Sequence, residues 1–324
     1  MARRQLDLFR ASEPVDGRVR PAETPAWLHG VAERLPRHLR LGTSSWSFPG
    51  WAGIVYDQPA PQSTLSREGL AAYAAHPLLR TVSIDRSYYG RIEESTYAQW
   101  ADDVPAGFRF VIKVDRAVTV PDLRSGSGAA SLPNPLFLDP RQAESSTIAP
   151  ALRGLGERAG VFLLQFSPFA ARAVGGSRIF ARRLGEFLNA LPRGIPFAVE
   201  IRSPELFTPR LIETLAKTDA VYCHTVHPAM PGLAQQLAAV PANGFPRLVI
   251  RWMLHSGMRY DQARDHYHPF HRLVDEDPET RSLIAGACRH ADRLDREAYV
   301  LINNKAEGSA RLSATRLAES IAGT

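Results

Sequence analysis

The chain has 324 residues, 44 % of them hydrophobic and 22 % charged, with a formal net charge of +6. Two cysteines, Cys223 and Cys288, are too few for a disulfide framework or a thiolate metal site. No run approaches a membrane span and the MARRQLDLFR start lacks the apolar stretch of a signal peptide, so the expectation is a cytoplasmic protein with no membrane partner.

Residues 1 to 38 read as a flexible amino-terminal extension, dominated by Arg, Pro, Glu and Gly and interrupted by Pro14, Pro21, Pro25 and Pro36. From Leu39 onward, eight short apolar runs alternate with helix-patterned segments: 39–46, 81–89, 108–114, 161–166, 196–202, 221–226, 248–253 and 298–304. This alternation predicts an α/β fold, a TIM-type (β/α)8 barrel forming a single domain over residues 39–324. Thr208 before Pro209 and Asp277 before Pro278 match an N-cap followed by a first-turn proline. The segment from Asp115 to Pro150 is far longer than a usual strand-to-helix connection, and is expected to overhang the barrel mouth as a lid or binding loop.

Function in such a barrel sits at the carboxyl ends of the strands. Asp85 and Glu200 supply the expected acid–base couple, since two carboxylates in different environments divide proton donation and acceptance. Glu200 and Arg202, two apart on one strand, share a face and are expected to pair. Lys113, Arg202 and Arg251 add cations suited to an anionic group, with Gln165 beside them. Trp46, Tyr88 and Tyr89 are expected to stack on a ring of the ligand. Asn303 and Asn304, with Gly308 beyond them, stand at the corner where many barrels bind phosphate. His224, His227, His255, His266, His268 and His271 crowd the later loops. Yet strands one, three, four and eight end without a metal-ligand type, so a metal is not expected; the sequence carries no cofactor signature and leaves other cofactors open.

The motifs GTSSWSFPGWAGIVY, VSIDRSYY, FRFVIKVDRAVT, FLLQFSPF, FAVEIRS and INNKAEGSA together closely resemble the YecE-like family, known as domain of unknown function 72. The resemblance runs from about Leu39 to Ile321 and implies a TIM-type barrel with a polar mouth and no settled activity. Ser83 stands where the family commonly has Glu, Arg86 where it has Ser, Ser203 where it has His, and Lys305 where it has His. These departures remove a carboxylate, add positive charge and favour a more anionic ligand.

In the extension, Gln5, Leu6, Asp7, Leu8 and Phe9 resemble the short peptide by which bacterial repair and replication proteins dock on the sliding clamp. Gln5 would hydrogen-bond at the pocket rim while Leu8 and Phe9 fill an apolar groove. The charge balance also points to nucleic acid or phosphate esters as partners, although the arginines are spread over several predicted helices rather than packed into one run. Three readings follow. One is a hydrolase acting on a phosphate-bearing substrate or nucleic acid; the second is an accessory module in DNA maintenance. The alternative is a sugar-type isomerase or hydrolase, or a ligand-binding barrel, unconnected with DNA.

Overall fold

Eight parallel strands close on themselves: β1 (Leu39–Thr43), β2 (Leu79–Ile84), β3 (Arg109–Lys113), β6 (Ala159–Phe166), β7 (Phe197–Ile201), β8 (Val221–Val226), β9 (Arg247–Trp252) and β10 (Glu297–Ile302), with β10 pairing back to β1. Between β3 and β6 lies a two-stranded antiparallel ribbon of β4 (Asp122–Leu123) and β5 (Leu132–Pro133). A computed structural model describes residues 19–123, 132–240 and 244–323. The predicted strands coincide with the barrel strands to within a few residues, because both are set by the same buried β-rich runs. No described helix is long and apolar enough to cross a membrane.

The barrel closes at a glycine. A Cβ on Gly42 would lie 1.9 Å from the Thr81 carbonyl oxygen, and the β1–β2 register shifts at that point. Only a residue without a side chain permits that approach. The helices begin where the sequence marks them: Thr208 Oγ1 accepts from Leu211 N at 3.3 Å and Asp277 Oδ1 from Thr280 N at 2.9 Å.

Two expectations change. Residues 19–38 do not all belong to an extension: Ala22 N donates to Val55 O, and the Ala26–Glu33 helix buries Leu28, Val31 and Ala32. Arg80, at the start of β2, donates to the Ala32 carbonyl, and this helix packs against the last helix, Ala310–Ala322. Apolar residues at 28, 31 and 32 are a helical stripe that the surrounding prolines obscure. The long segment after β3 is likewise only partly a mouth loop. Its second half, Pro140–Leu155, is helical and packs against the Glu94–Asp102 helix as part of the outer layer. Among the described residues of its first half, the amide of buried Asn134 donates to Ala117 O at 2.8 Å and Val120 O at 2.7 Å.

Candidate functional site

Register brings the polar strand ends together. Gln165 pairs with Glu200 across β6 and β7, and Thr225 with Arg251 across β8 and β9. Side chains alternate along each strand, so these four residues and Lys113 form a charged layer at the carboxyl ends of the strands. Arg202 Nε donates to Glu200 Oε1 at 2.8 Å, and Arg251 Nη1 donates to Glu200 Oε2. Gln165 Oε1 receives both guanidiniums, from Arg202 Nη2 at 3.1 Å and Arg251 Nη1 at 3.0 Å. Thr225 Oγ1 adds a donor to Glu200 at 3.4 Å.

This network settles the charge of Glu200. Burial alone would raise its carboxyl, but the Arg202 and Arg251 guanidiniums outweigh burial and hold it well below the usual carboxylate range. A carboxylate so placed is a permanent anion and a weak base. Arg251 is fully buried; its Nε and Nη2 make no hydrogen bond among the described residues, and Nη2 lies 3.8 Å from Asp85 Oδ2.

Asp85, beside the same Arg251, is more exposed than Glu200. Its side chain is 35 % exposed, and Ser83 Oγ donates to Oδ1 at 2.6 Å. Lys113 is buried at the end of β3, its ammonium 4.2 Å above the Tyr88 ring. Burial lowers its pKa to about 8, with Arg251 and Arg202 acting in the same sense and Asp85 and Glu200 against it. Tyr88 OH is within 2.9 Å of Ser167 Oγ, so the ring under the lysine is held at its far end.

Other expected residues lie elsewhere or are already engaged. Tyr89 is 72 % exposed and meets Tyr88 edge-on. Trp46 is buried, its Nε1 donating to Leu65 O at 3.1 Å and its ring against Trp100. Asn303 bridges the ends of β10 and β1 by donating to Ser44 Oγ at 3.1 Å. Asn304 faces away from the mouth: its Oδ1 accepts from Ala310 N at 2.8 Å, at the start of the last helix. The expected phosphate corner holds an internal anion instead. Buried Glu307 accepts from Asp277 N at 2.7 Å and from Arg281. Gly308, at φ 112°, is needed there because a Cβ would lie 2.6 Å from Arg272 O. His224 turns to the helix layer beside Tyr222, and His266 pairs with Asp275 at the surface. Among the described residues, His, Cys, Asp and Glu do not gather in a group of three able to hold a metal ion. The clamp-like peptide, Gln5 to Phe9, lies outside the described residues.

Sequence reasoning missed Thr225 and Trp100, and marked Ser83 only as a departure from a family pattern. Ser83 and Asp85, two apart at a strand end, carry the same period-two signal that joined Glu200 to Arg202. Trp100, on a helix, gives no such signal. The other departures have structural partners too: Ser203 Oγ donates to Phe169 O at 2.8 Å, the Arg86 guanidinium lies 5.3 Å from the centre of the Trp100 ring, and the Lys305 ammonium lies 4.2 Å from the centre of the Tyr260 ring.

Comparison with known proteins gives a family and a fold. The sequence model described as "Protein of unknown function DUF72" matches residues 40–324. Two solved structures, both titled as DUF72 family proteins, are similar. One, from Thermotoga maritima, is 21 % identical with TM-score 0.58, covering 86 % of this chain and 97 % of the other. The second, from Enterococcus faecalis, is 18 % identical with TM-score 0.57, covering 87 % and 95 %. No curated protein matches the chain.

Proposed function

The chain belongs to the DUF72 family, and on that premise we propose that it is a hydrolase of phosphate-bearing substrates acting through the mouth of the barrel. One observation carries this reading. Three cations, Lys113, Arg202 and Arg251, face two carboxylates, and one of these, Glu200, is wholly taken up by the two arginines. The surplus positive charge in a largely dry layer favours an anion at the mouth.

In this reading Glu200 and Gln165 are positioning residues that fix both guanidinium planes. Asp85, the exposed carboxylate, takes a proton from the attacking water, while the Lys113 ammonium protonates the departing alkoxide. Water and ester become alcohol and inorganic phosphate, and proton exchange with solvent returns Asp85 to the carboxylate and Lys113 to the ammonium for the next turnover. Two groups whose environments set them apart divide acid and base roles in this way.

The test is binding of inorganic phosphate by calorimetry, together with release of phosphate from a panel of phosphomonoesters by the wild type and Asp85→Asn. The expected result is phosphate binding in both proteins and turnover only in the wild type. Absence of phosphate binding in both would overturn the reading.

A second element rests on the Gln5–Phe9 peptide, which supports docking on a sliding clamp. It would place this hydrolase beside DNA without assigning DNA as its substrate.

A further inference from the structure

A cavity of about 170 Å³ opens beside Asp85, on the β1–β2 side of the mouth. Its walls are Ser44, Ser45 and Ser47 from the loop after β1, Ser66 from the Gln62–Glu68 helix, and the rings of Trp46 and Trp100. Ser83, Ile84, Asp85 and Arg86 complete it. Asp85 belongs to both places, since it lines this cavity and also lies 3.8 Å from Arg251 in the charged layer.

The chemistry of the walls is specific. Four of the five serines already hold partners, Ser83 Oγ donating to Asp85 Oδ1, Ser44 Oγ to Ile302 O, and Ser45 and Ser47 sharing a bond at 3.3 Å, so toward a ligand that carries several hydroxyls they act mainly as acceptors through their remaining lone pairs. The exposed margins of the buried Trp46 and Trp100 rings, with the Arg86 guanidinium over Trp100, form the apolar part of the wall against which the C–H face of a ring packs. Their positions are fixed: Trp46 by its bond to Leu65 O and its edge-on contact with Trp100 at 5.5 Å, and Ser44 by Asn303. A cavity near 150 Å³ admits one benzene-sized ring, so this one takes a single ring and not a stack of bases or a duplex.

We infer that the cavity is the subsite for the neutral half of the substrate, which is a monomeric polyol or sugar phosphate: its hydroxylated carbon skeleton lies among the serines and tryptophans, and its phosphate on the side of Lys113 and Arg202. The inference rests on the proposed phosphate-ester activity and narrows it to small esters rather than polynucleotides. Asp85 then stands at the junction of the two halves, where the bond to be broken lies.

The experiment compares, on the full chain by calorimetry, inorganic phosphate, ribose 5-phosphate, glucose 6-phosphate, glycerol 3-phosphate and a single-stranded oligonucleotide. The expected result is at least one sugar or polyol phosphate binding tenfold or more tightly than inorganic phosphate. In Ser66→Leu, which fills the cavity from the helix side, that ligand's affinity falls to the level of inorganic phosphate. Sugar phosphates that bind no better than inorganic phosphate to the wild-type chain overturn the subsite and leave the anion site standing. An oligonucleotide that binds more tightly than every monophosphate also overturns it, in favour of a polymer. Failure of all five ligands removes the phosphate-ester reading together with the subsite. The wild-type comparison decides the matter even where Ser66→Leu does not fold.

Discussion

Arg251 on β9 and Glu200 on β7 meet across the intervening strand β8, and neither side chain exposes any surface to solvent. Two charges buried in this way depend on each other. Glu200→Gln keeps the shape of the side chain but leaves two guanidiniums facing an amide. The expected loss of stability is about 3–5 kcal/mol, measured by denaturant unfolding, with loss of phosphate binding alongside. A loss below about 1 kcal/mol would mean that solvent already screens the pair.

Acid should unfold this protein early, for two reasons of the same sign. Burial lowers His76 to about 3 and His224 to about 4, so both are neutral in the fold, whereas an unfolded histidine takes a proton near 6.5. Their contribution is complete above pH 6.5 and falls as pH drops toward the folded values, by about 1.4 kcal/mol per pH unit for each. Glu200, held below its ordinary value of 4.5, adds a further loss below that pH. Unfolding midpoints measured from pH 8 to pH 4 should decline from 6.5 downward, and His76→Gln should make the decline shallower. A flat profile across that window would contradict the buried neutral state.

If Lys113 is the proton donor, activity should fall as pH rises through about 8, the value to which burial lowers its ammonium. Below that pH the amine is protonated and able to donate. Lys113→Met should lower kcat by about 100-fold or more, within the usual range for general acid catalysis, and should remove the alkaline limb of the pH–rate profile. A limb that persists unchanged in the variant would assign it to another group.

The amino-terminal peptide has its own test. Leu8→Ala with Phe9→Ala should weaken binding of the full chain to a purified bacterial sliding clamp by tenfold or more, about 1.4 kcal/mol. Phosphate binding at the barrel mouth, measured on the same sample, should not change. Equal clamp binding by the altered and wild-type chains would end the proposal of a clamp partner.

The sequence by itself determined the strands, the closed parallel barrel and the face on which charge collects. Each depends on local patterns: apolar runs of strand length, caps before prolines, and a period of two that puts Glu200 beside Arg202. Only the tertiary structure decided how those charges are used. Barrel closure and strand register bring Arg251 over Thr225 to Glu200 in a fully buried pair, while Asp85, at an equally polar strand end, stays at the water surface. Asn303 and Asn304 are adjacent and identical in type, yet one bonds to Ser44 at the mouth and the other caps the last helix. The serine and tryptophan cavity draws its walls from the loop after β1, the end of β2 and two helices. Burial, desolvation and partner distance set the role of each group, and all three arise from residues far apart in the chain.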